Sequence, residues 1–488
     1  MNRILFPRAF AIAVDDLGWN EGSDLSEGTP QGPHRAGVKR SFDLRDYEHI
    51  VAAGEKIGAR IQCLFILSEM DRENILARFP TTTYQREKWN NTFRVNDLQK
   101  EIMDYVRDHA SHMEFGLHGT GHEYWAPGQS QKRAEWYNLK DKEPWPEKSL
   151  RDHLQCFADI MAQYGFAKAN GHSFPESFVP CAYSYYWNPR GKYSLGKLLT
   201  DFGVKYANTD FSQIPELSPP SEINGGDFDY GTHVMNRLNY GNLWYQLATL
   251  PVTPLEEQQT DIIESHWPNW LAQDDFLQRD VTAAWIEYYK SAQRLHDRYI
   301  AKNTEQLHSQ WLYNRYCNVQ EASPGRVEID NTAMPDEAYQ NEKLGNMVLK
   351  IRLEPGEHVA SAKLNGGEIA GYFEDEGFGF LYLPCLHKKV YQLEYTIGNA
   401  RMPVHVFLDG TYNSYSLTVA GSRIVADLKI YGTQDVRISC ARVGTVSSTS
   451  TALEVKGWNY AEGSRELLVT LCAADMQGSR GSLLVSLS

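Results

Sequence analysis

The sequence has no surplus of basic residues, and this absence narrows the class of partner. Its 488 residues carry 48 Lys and Arg against 62 Asp and Glu, which gives a formal net charge of −14. A protein that follows a nucleic-acid backbone needs clustered positive charge to displace counterions from the phosphates. We therefore expect no nucleic-acid partner.

Long apolar runs are missing as well. No stretch of 18 apolar residues occurs, so we expect no membrane span. The apolar run over residues 10–14 resembles the core of a signal peptide, but Pro7 interrupts the region and Asp15 follows at once. We interpret this run as the first strand of the fold. On its face the sequence indicates a cytoplasmic protein, or an extracytoplasmic one if a signal has been removed.

Cysteine is scarce and shows no regular spacing. The chain has seven cysteines, an odd number, and none forms a Cys-x-x-Cys pair. A disulfide framework normally shows an even count in a short secreted chain. The pattern favours reduced, mostly buried thiols.

Strand and helix patterns alternate over about the first 320 residues. The hydrophobic content of 42% is that of an ordinary globular protein. Alternation of this kind predicts an α/β fold with a mainly parallel sheet or barrel, and a site at the carboxyl ends of its strands. We predict strands over residues 10–14, 59–67, 113–117, 177–181, 204–208, 243–250 and 261–265. We predict helices over residues 43–58, 97–110, 150–165, 195–202 and 281–307.

The pattern changes near residue 324 to short β runs separated by Gly, Asn and Asp. We predict strands over residues 347–353, 378–383, 390–397, 404–408 and 467–471. Such runs are typical of an all-β, sandwich-like region. The predicted division is a (β/α) barrel over residues 1–322 and a β-sandwich-like region over residues 323–488. A further boundary near residue 398 would split the second region into two modules, and a single sandwich is the alternative.

Acidic and imidazole side chains stand where two predicted strands end. Asp15 and Asp16 close the first strand, and His118 and His122 follow the strand over residues 113–117 in the pentapeptide His-Gly-Thr-Gly-His. Two glycines between the histidines disfavour a helix, so a strand end and a tight loop are predicted. Two imidazoles and a carboxylate suit zinc or a similar divalent metal. The alternative is a hydrogen-bonded pair of loop histidines.

Two later segments complete an order of motifs. A proline-containing segment covers residues 178–181, and His266 ends the strand over residues 261–265. The order of these elements resembles that of the polysaccharide deacetylase family of carbohydrate esterases. The resemblance covers roughly residues 8–300, and its first two motifs match best. It implies a distorted (β/α) barrel, to which the all-β region is appended.

The resemblance also implies a division of roles among the motif residues. Asp16, His118 and His122 would bind one divalent ion, most simply zinc, with cobalt, nickel or manganese as alternatives. Asp15 would be the general base and His266 the general acid, and a backbone N–H from residues 181–183 would help to hold the oxyanion. The reaction would remove N- or O-linked acetyl groups from a carbohydrate.

Three positions depart from the family pattern. Phe178 stands where the family has an arginine that supports the base, so another residue would have to orient Asp15. Asp210 is the candidate for the family's fourth-motif aspartate, although an aspartate that caps a turn is the simpler interpretation. His266 follows Glu264 and Ser265, where the family has an apolar residue. The departures indicate a divergent branch or a lost activity.

Aromatic residues cluster beside the motif segments. The chain has 28 Tyr and 12 Trp, and flat amphipathic rings near a cleft suit the faces of sugar rings. We predict that Tyr183, Trp187 and Trp267 bind the substrate, an acetylated saccharide. The alternative for each ring is packing in the core.

Two other functions compete with the deacetylase. One is a catalytically impaired barrel kept as a carbohydrate-binding protein, which the missing arginine favours. The other is an amidohydrolase that acts on a small non-sugar amide, which reduced cysteines and the lack of an export signal would suit. Metal analysis and acetate release from glycans discriminate among the three. The sequence leaves the sugar, the linkage and the oligomeric state open.

Overall fold

The computed structural model describes residues 3–20, 36–127, 134–187, 194–214, 226–369 and 371–487. The chain has a mixed α/β part, built on a curled parallel sheet, and a part made of three further β-sheets. This confirms the predicted α/β class with an additional β region. None of the helices within these residues combines the length and the apolar character needed to cross a bilayer.

The α/β part contains seven α-helices within the described residues. They are α1 (Arg45–Ile57), α2 (Asp97–Asp108), α3 (Glu147–Gln163), α4 (Leu195–Phe202), α5 (Trp267–Trp270), α6 (Asp275–Arg294) and α7 (Thr304–Tyr316). The first ten strands are β1 (Ile4–Leu5), β2 (Arg8–Leu17), β3 (Ile61–Ile66), β4 (Met113–Gly119), β5 (Ser177–Phe178), β6 (Tyr206–Thr209), β7 (Gly226–Asp229), β8 (Thr232–Asn236), β9 (Ile262–His266) and β10 (Arg298–Ile300).

The main sheet is parallel and curls into a half-barrel. Its order is β10-β2-β3-β4-β5-β6-β8-β7, and only the β7–β8 pair is antiparallel. Strand β9 also pairs with β2, beside the second half of that strand. The segment that follows β8 contacts the other side of β9. Leu238 forms a parallel β-bridge with Ile263, and the N–H of Glu264 donates to the Leu238 carbonyl at 3.0 Å. The carboxyl ends of the parallel strands therefore meet around one space.

Strand β2 shows how the two faces of the sheet are covered. Phe10, Ile12 and Val14 belong to one hydrophobic core, which also contains apolar residues of α1, α2, α3 and α6. The alternating residues Ala9 and Ala13 belong to a second core on the opposite face. This alternation is the period of a strand buried on both sides. Helix α7 lies in the second core, and its residues 304–313 are all buried.

The predicted helix over residues 281–307 is wrong, because the structure interrupts it with a strand. Helix α6 ends at Arg294, and β10 then pairs with β2 before α7 begins. The buried ammonium of Lys350 donates to the carbonyls of Gln293 and Leu295 and so satisfies the end of α6. A lysine from the β region supplies this contact, and local sequence cannot reveal it.

The predicted strand over residues 243–250 is also wrong, since this segment is a loop. The amide of Asn269, in α5, donates to the carbonyls of Leu243 and Gln246 at 2.9 Å each. The N–H groups of Ala248 and Thr249 donate to backbone carbonyls of the same short helix. The loop is thus satisfied by α5, through a side chain and the backbone, instead of by a neighbouring strand.

The β part begins directly after α7. Its strands are β11 (Asn318–Ser323), β12 (Arg326–Asp330), β13 (Met347–Arg352), β14 (His358–Leu364), β15 (Gly367–Glu368), β16 (Gly371–Asp375), β17 (Phe378–Leu383), β18 (Val390–Gly398), β19 (His405–Phe407), β20 (Asn413–Ala420), β21 (Arg423–Ile430), β22 (Thr433–Ser439), β23 (Val446–Ser448), β24 (Leu453–Ala461), β25 (Glu466–Ala473) and β26 (Ser479–Ser486).

One sheet ties the whole chain together. Its order is β1-β13-β17-β16-β19-β22-β25-β24, so it starts with residues near the N-terminus and continues through strands on both sides of residue 398. The other two sheets have the orders β11-β12-β18-β14-β15 and β20-β21-β26-β23. Residues on both sides of residue 323 therefore share one sheet and one hydrophobic core.

A buried ionic cluster lies where the two parts meet. The ammonium of Lys429, on β21, is 3.0 Å from carboxylate oxygens of Glu305 on α7 and of Glu176 before β5. The Lys429 and Glu305 side chains are 8% and 4% exposed. Burial opposes the charge on Lys429, but the two carboxylates outweigh it and raise the pKa of Lys429. Glu176 is also paired with Lys205 of the α/β part at 2.7 Å, but the charges of Lys429 and Glu305 compensate each other only while the two parts stay together.

Replacing Lys429 with Met should destabilise the protein strongly, because Glu305 would lose its buried counter-charge. Removal of one partner of a buried pair costs about 3–5 kcal/mol. The control is Lys100→Met, which breaks an exposed pair with Asp104 worth less than about 1 kcal/mol. Urea unfolding followed by circular dichroism measures both. A Lys429→Met protein as stable as the control would contradict this account.

Candidate active site

Six chemically active side chains from the strand ends line one small cavity. They are Asp15, Asp16, His118, His122, Arg237 and His266, and the cavity has a volume of about 190 Å³. Its walls are completed by Trp19, Pro180, Ala182, Tyr183 and Trp244. Every described residue that lines it precedes Trp267 in the chain. The structure therefore brings together all five residues predicted to bind a metal or to transfer protons.

A backbone irregularity explains how two neighbouring aspartates reach the same cavity. In a regular strand their side chains would point to opposite faces. Here the register between β2 and β3 shifts after Val14, and Asp16 adopts the left-handed conformation with φ of 73°. Asp15 remains in register and faces His266 on β9. The bulge turns the Asp16 carboxylate back toward the cavity.

The two glycines of the His-Gly-Thr-Gly-His segment stand where neighbouring atoms leave no room for a side chain. A Cβ on Gly121 would lie 2.3 Å from the backbone oxygen of Thr82, and one on Gly119 would lie 2.2 Å from Oε2 of Glu135. The tight turn is made by His122 itself, which has a left-handed φ of 67°. The glycines thus let β4 end against neighbouring chain segments, while a strained histidine turns toward the cavity.

Hydrogen bonds fix the orientation of His118. Its Nδ1 lies 2.8 Å from the carbonyl of Val179. Because a carbonyl only accepts, Nδ1 carries a proton, so that in the neutral ring the lone pair is on Nε2. That Nε2 lies 3.4 Å from Oδ1 of Asp16, and Nε2 of His122 lies 4.0 Å from the same oxygen. The His122 ring stacks on Trp19 with centroids 4.8 Å apart.

Burial and the neighbouring charges set the protonation of these groups. Burial disfavours the Asp16 carboxylate, yet the imidazoles of His118, His266 and His122 hold the pKa of Asp16 well below its usual range. Burial lowers the pKa of His122 to about 4. Burial also opposes protonation of His118, but the charges of Asp15 and Asp16 outweigh it and raise its pKa. The site thus holds an ionised Asp16 beside a His122 that stays neutral at pH 7.

Arg237 holds Asp15 in a buried bidentate pair. Nη1 donates to Oδ1 at 2.9 Å and Nη2 donates to Oδ2 at 2.5 Å, and both side chains are 1% exposed. Burial opposes ionisation of Asp15, but the guanidinium outweighs it and lowers the pKa of that carboxyl. Arg237 follows the end of β8, and its N–H donates to Thr209 on β6. The orienting residue that Phe178 cannot provide is therefore supplied by the next strands of the sheet.

His266 lies between two carboxylates. Its Nε2 is 3.9 Å from Oδ2 of Asp15, and its Nδ1 is 3.8 Å from Oε1 of Glu264. Glu264 is two residues away on β9 and so shares a face with His266. The Tyr183 hydroxyl donates to Glu264 at 2.7 Å. Burial and this carboxylate raise the pKa of Tyr183, which keeps its phenol protonated.

The donor set fits a divalent cation. Oδ1 of Asp16 is buried and accepts no hydrogen bond from any residue that the structure describes. An ionised oxygen in that state needs a cation close by. Imidazole nitrogens and a carboxylate oxygen are ligands that zinc accepts. The Sγ of Cys181 lies nearby, since ligand atoms of His118, His122 and Cys181 fall within 4.8 Å of one another.

Two of the three predicted aromatic contacts need correction. Tyr183 lines the cavity as predicted. The ring of Trp267 is wholly buried and packs against Phe42 and Tyr47, with centroids 5.1 Å apart in each case, so it is a core residue. Trp187 is half-buried and packs against the same core, outside the cavity lining. The half-exposed tryptophan that lines the cavity is Trp244.

Sequence reasoning missed four residues of the site. These residues, which all lie near the cavity, are Arg237, Glu264, Trp19 and Trp244. Only Arg237 had a signal in the sequence that could have revealed it. It directly follows β8, as Asp15 ends the apolar run of β2, but this strand was not predicted. Asp210 lies apart, where it accepts hydrogen bonds from Ser212 and Gln213 and closes a turn.

Comparisons with known proteins give little to set beside this geometry. No protein-family model matches the sequence, and no curated protein matches it. Among solved structures, a GH57-type branching enzyme from the hyperthermophilic archaeon Pyrococcus horikoshii is similar at 11% identity and a TM-score of 0.27. The match covers 48% of this chain and 47% of that one. The chain thus spans about half of that enzyme, and a likeness this weak carries no argument.

Adding one methyl group at Gly121 should destabilise the site. The Cβ of Gly121→Ala would meet the Thr82 carbonyl, which is backbone and cannot rotate away. Overpacking of this kind costs about 1–3 kcal/mol. In the control Gly463→Ala the new Cβ meets no atom of the described residues within 4 Å. Thermal unfolding of both variants tests this, and equal midpoints would show that the turn is not tightly packed.

Proposed function

We propose that this chain is a metal-dependent hydrolase that removes acetyl groups, N- or O-linked, from a carbohydrate. The observation that carries the proposal is the meeting of Asp15, Asp16, His118, His122 and His266 around one cavity. A set of metal donors, a carboxylate base and an imidazole acid within one small space is the equipment of metal-assisted hydrolysis. The motif order that resembles the polysaccharide deacetylases supports the same assignment.

Asp16, His118 and His122 would hold the ion, with zinc the first choice and cobalt, nickel or manganese as alternatives. When bound, a divalent ion supplies a Lewis acid that polarises the acyl oxygen and acidifies water. Three protein donors leave room for such chemistry, as in catalytic zinc sites. Because Nδ1 of His118 donates to a carbonyl, Nε2, which lies 3.4 Å from Oδ1 of Asp16, is the nitrogen left for the ion.

Asp15 is the proposed general base. Arg237 engages both of its oxygens, so the carboxylate cannot rotate away from the cavity. This contact also lowers the basicity of Asp15, which limits the driving force for proton transfer. In return, the contact fixes the position of the Asp15 carboxylate, and a base must lie within hydrogen-bond reach of the proton that it removes.

His266 is the proposed general acid. It lies at the cavity wall beside Asp15, and Glu264 stands within 3.8 Å of its other ring nitrogen. From this position its ring can deliver a proton to the departing amine or alkoxide. Ala182 and Tyr183, both with left-handed backbone, bring a peptide stretch to the cavity wall, where its N–H groups would stabilise an oxyanion.

The curled parallel sheet also supports the proposal. A parallel half-barrel in which the end of β8 reaches β9 is what a distorted (β/α) barrel of the polysaccharide deacetylase type would need. The β region would then hold the barrel on its polymer or pack beside it.

The size and the rim of the cavity favour an acetylated sugar over a larger ligand. Its volume of about 190 Å³ is below the roughly 300–1,000 Å³ of sites that enclose a whole drug-sized ligand. The cavity would therefore receive the acetyl group and part of one ring. Trp244 at the wall, with Tyr245 edge-on at 5.2 Å and 47% exposed, offers rings for the rest of the saccharide.

The decisive test is acetate release, combined with the variant Asp15→Asn. Zinc-loaded wild-type protein should release acetate from at least one member of a panel of N- and O-acetylated glycans. Asp15→Asn should bind zinc as the wild type does and release acetate about 10²-fold more slowly or worse, the usual scale for a general base. Plasma emission spectrometry gives the metal content.

The control for that experiment is Asp210→Asn, which changes a buried aspartate that closes a turn away from the cavity. Near-normal turnover by Asp15→Asn would remove the base assignment. Zinc binding without acetate release from any glycan would favour the binding-protein function or, if a small amide is cleaved, the amidohydrolase function. The pair of Arg237 with Asp15 weakens the case for an impaired barrel, since that case rested on a missing arginine.

Trp244→Ala should weaken saccharide binding by about 1 kcal/mol or more, because a ring-face contact would be lost. The matched control is Trp458→Ala, which removes a tryptophan that is 45% exposed on β24. Isothermal titration of the catalytically slow Asp15→Asn protein with an acetylated oligosaccharide measures both. Equal affinities in the two tryptophan variants would exclude Trp244 from the binding surface.

A further inference from the structure

Cys181 has a position that the proposed hydrolytic roles do not use. It follows Pro180 and precedes Ala182, both of which line the cavity. Its thiol is fully buried, and its ligand atom falls within 4.8 Å of ligand atoms of both His118 and His122. The thiol is thus not an isolated cysteine but a member of a group of potential metal donors.

The surroundings hold the thiol in this place. Sγ lies 3.3 Å from the carbonyl of His118 and 4.0 Å from Oε2 of Glu135. Glu135 is itself fixed, since it accepts from the N–H of Thr120 at 2.9 Å and lies 2.7 Å from Nδ1 of His153. A Cβ on Gly119 would approach Sγ to 2.8 Å. The end of β4 is therefore shaped to accommodate this sulfur beneath the histidines.

A second and independent observation also points to a cation. Oδ1 of Asp16 is buried, accepts no hydrogen bond from the described residues and lies within 3.4–4.0 Å of the Nε2 atoms of the two histidines. Nitrogen and sulfur ligands of one tetrahedral zinc ion, at bond lengths near 2.0 and 2.3 Å, are about 3.5 Å apart. Because the ligand atoms of Cys181, His118 and His122 are at most 4.8 Å apart, shifts of no more than about 1.3 Å would bring them to that spacing.

We infer that Cys181 is a further ligand of the ion, so that the site combines two nitrogens, one oxygen and one sulfur. The inference rests on the metal site of the proposed function and deepens it by assigning the metal. Thiolate is a soft ligand that selects zinc over magnesium, calcium and manganese, for which oxygen ligands are the rule. A five-coordinate ion, which catalytic zinc sites can reach, keeps a position open beside four protein donors.

Cobalt(II) provides the test, because it replaces zinc and reports its ligands by absorption. The full-length protein is stripped of metal with a chelator and titrated with cobalt to one equivalent. A thiolate ligand produces an intense near-ultraviolet charge-transfer band, whereas nitrogen and oxygen ligands give only weak visible bands. We expect the charge-transfer band in the wild type and its loss in Cys181→Ser, with the visible bands retained.

The matched control is Cys440→Ser, which changes another fully buried free cysteine in the β region and should keep the band. Zinc affinity, measured by competition with a chromogenic chelator, should fall at least 10-fold in Cys181→Ser, since even outer partners of metal ligands are worth 10–100-fold. If Cys181→Ser does not fold, Cys181→Ala replaces it. If neither variant folds, the presence or absence of the charge-transfer band in the wild type decides whether a thiolate binds the ion.

The outcomes separate this inference from the proposed function. Bound cobalt and acetate release without a charge-transfer band would overturn the assignment of Cys181 and leave the hydrolase intact. A band that is lost only in Cys181→Ser would support the assignment even if no glycan is deacetylated. A band that persists in Cys181→Ser, or a wild type that binds no cobalt, would overturn it.

Discussion

The buried pair of Asp15 and Arg237 is the interaction on which the site depends. It joins the end of β2 to the end of β8, and both side chains are almost completely buried. Glu264 adds a second carboxylate within 3.5 Å of the same guanidinium. Without Arg237, two buried carboxylates would stand together uncompensated, which is far more costly than the loss of a surface ion pair. The Arg237 guanidinium therefore makes it possible to bury both carboxylates at this end of the half-barrel.

Backbone strain accompanies this concentration of charge. Asp16, His122, Ala182 and Tyr183 all have left-handed backbone, although none is a glycine. Each such residue costs of order 1–3 kcal/mol and persists only where its surroundings fix it. Here the fixing elements are the shifted register of β2, the close packing at Gly119 and Gly121, and the tethered ring of His118. Conformations of this kind cluster where side chains must be aimed, and all four residues line the same cavity.

The β region supports this site without lining its cavity. It shares a sheet with β1, closes one face of the half-barrel around α7 and provides Lys429 and Lys350 to buried acceptors of the α/β part. The β region thus packs on the face of the half-barrel opposite to helices α1, α2, α3 and α6. A truncation after residue 323 would expose the second hydrophobic core and leave Glu305 without its cation.

The sequence by itself determined the elements with strong local signals. These elements are the strands that carry Asp15 and His118, helix α4 with its limits, and the change to β structure after α7. They follow from periodicity and from turn residues. So did the candidates for metal binding and proton transfer, because acidic and imidazole groups at strand ends are visible without coordinates.

Only the tertiary structure decided which residues support these groups. Arg237 pairs with Asp15 across 222 positions of sequence, and Cys181 approaches the histidines because β4 and β5 are neighbours. Trp267 was misplaced since a short helix turns its ring into the core, whereas Trp244 reaches the cavity on a loop held by Asn269. Local sequence fixes the direction of a strand and the chemistry at its end. Distant contacts, which depend on how the sheet curls, fix what lies opposite.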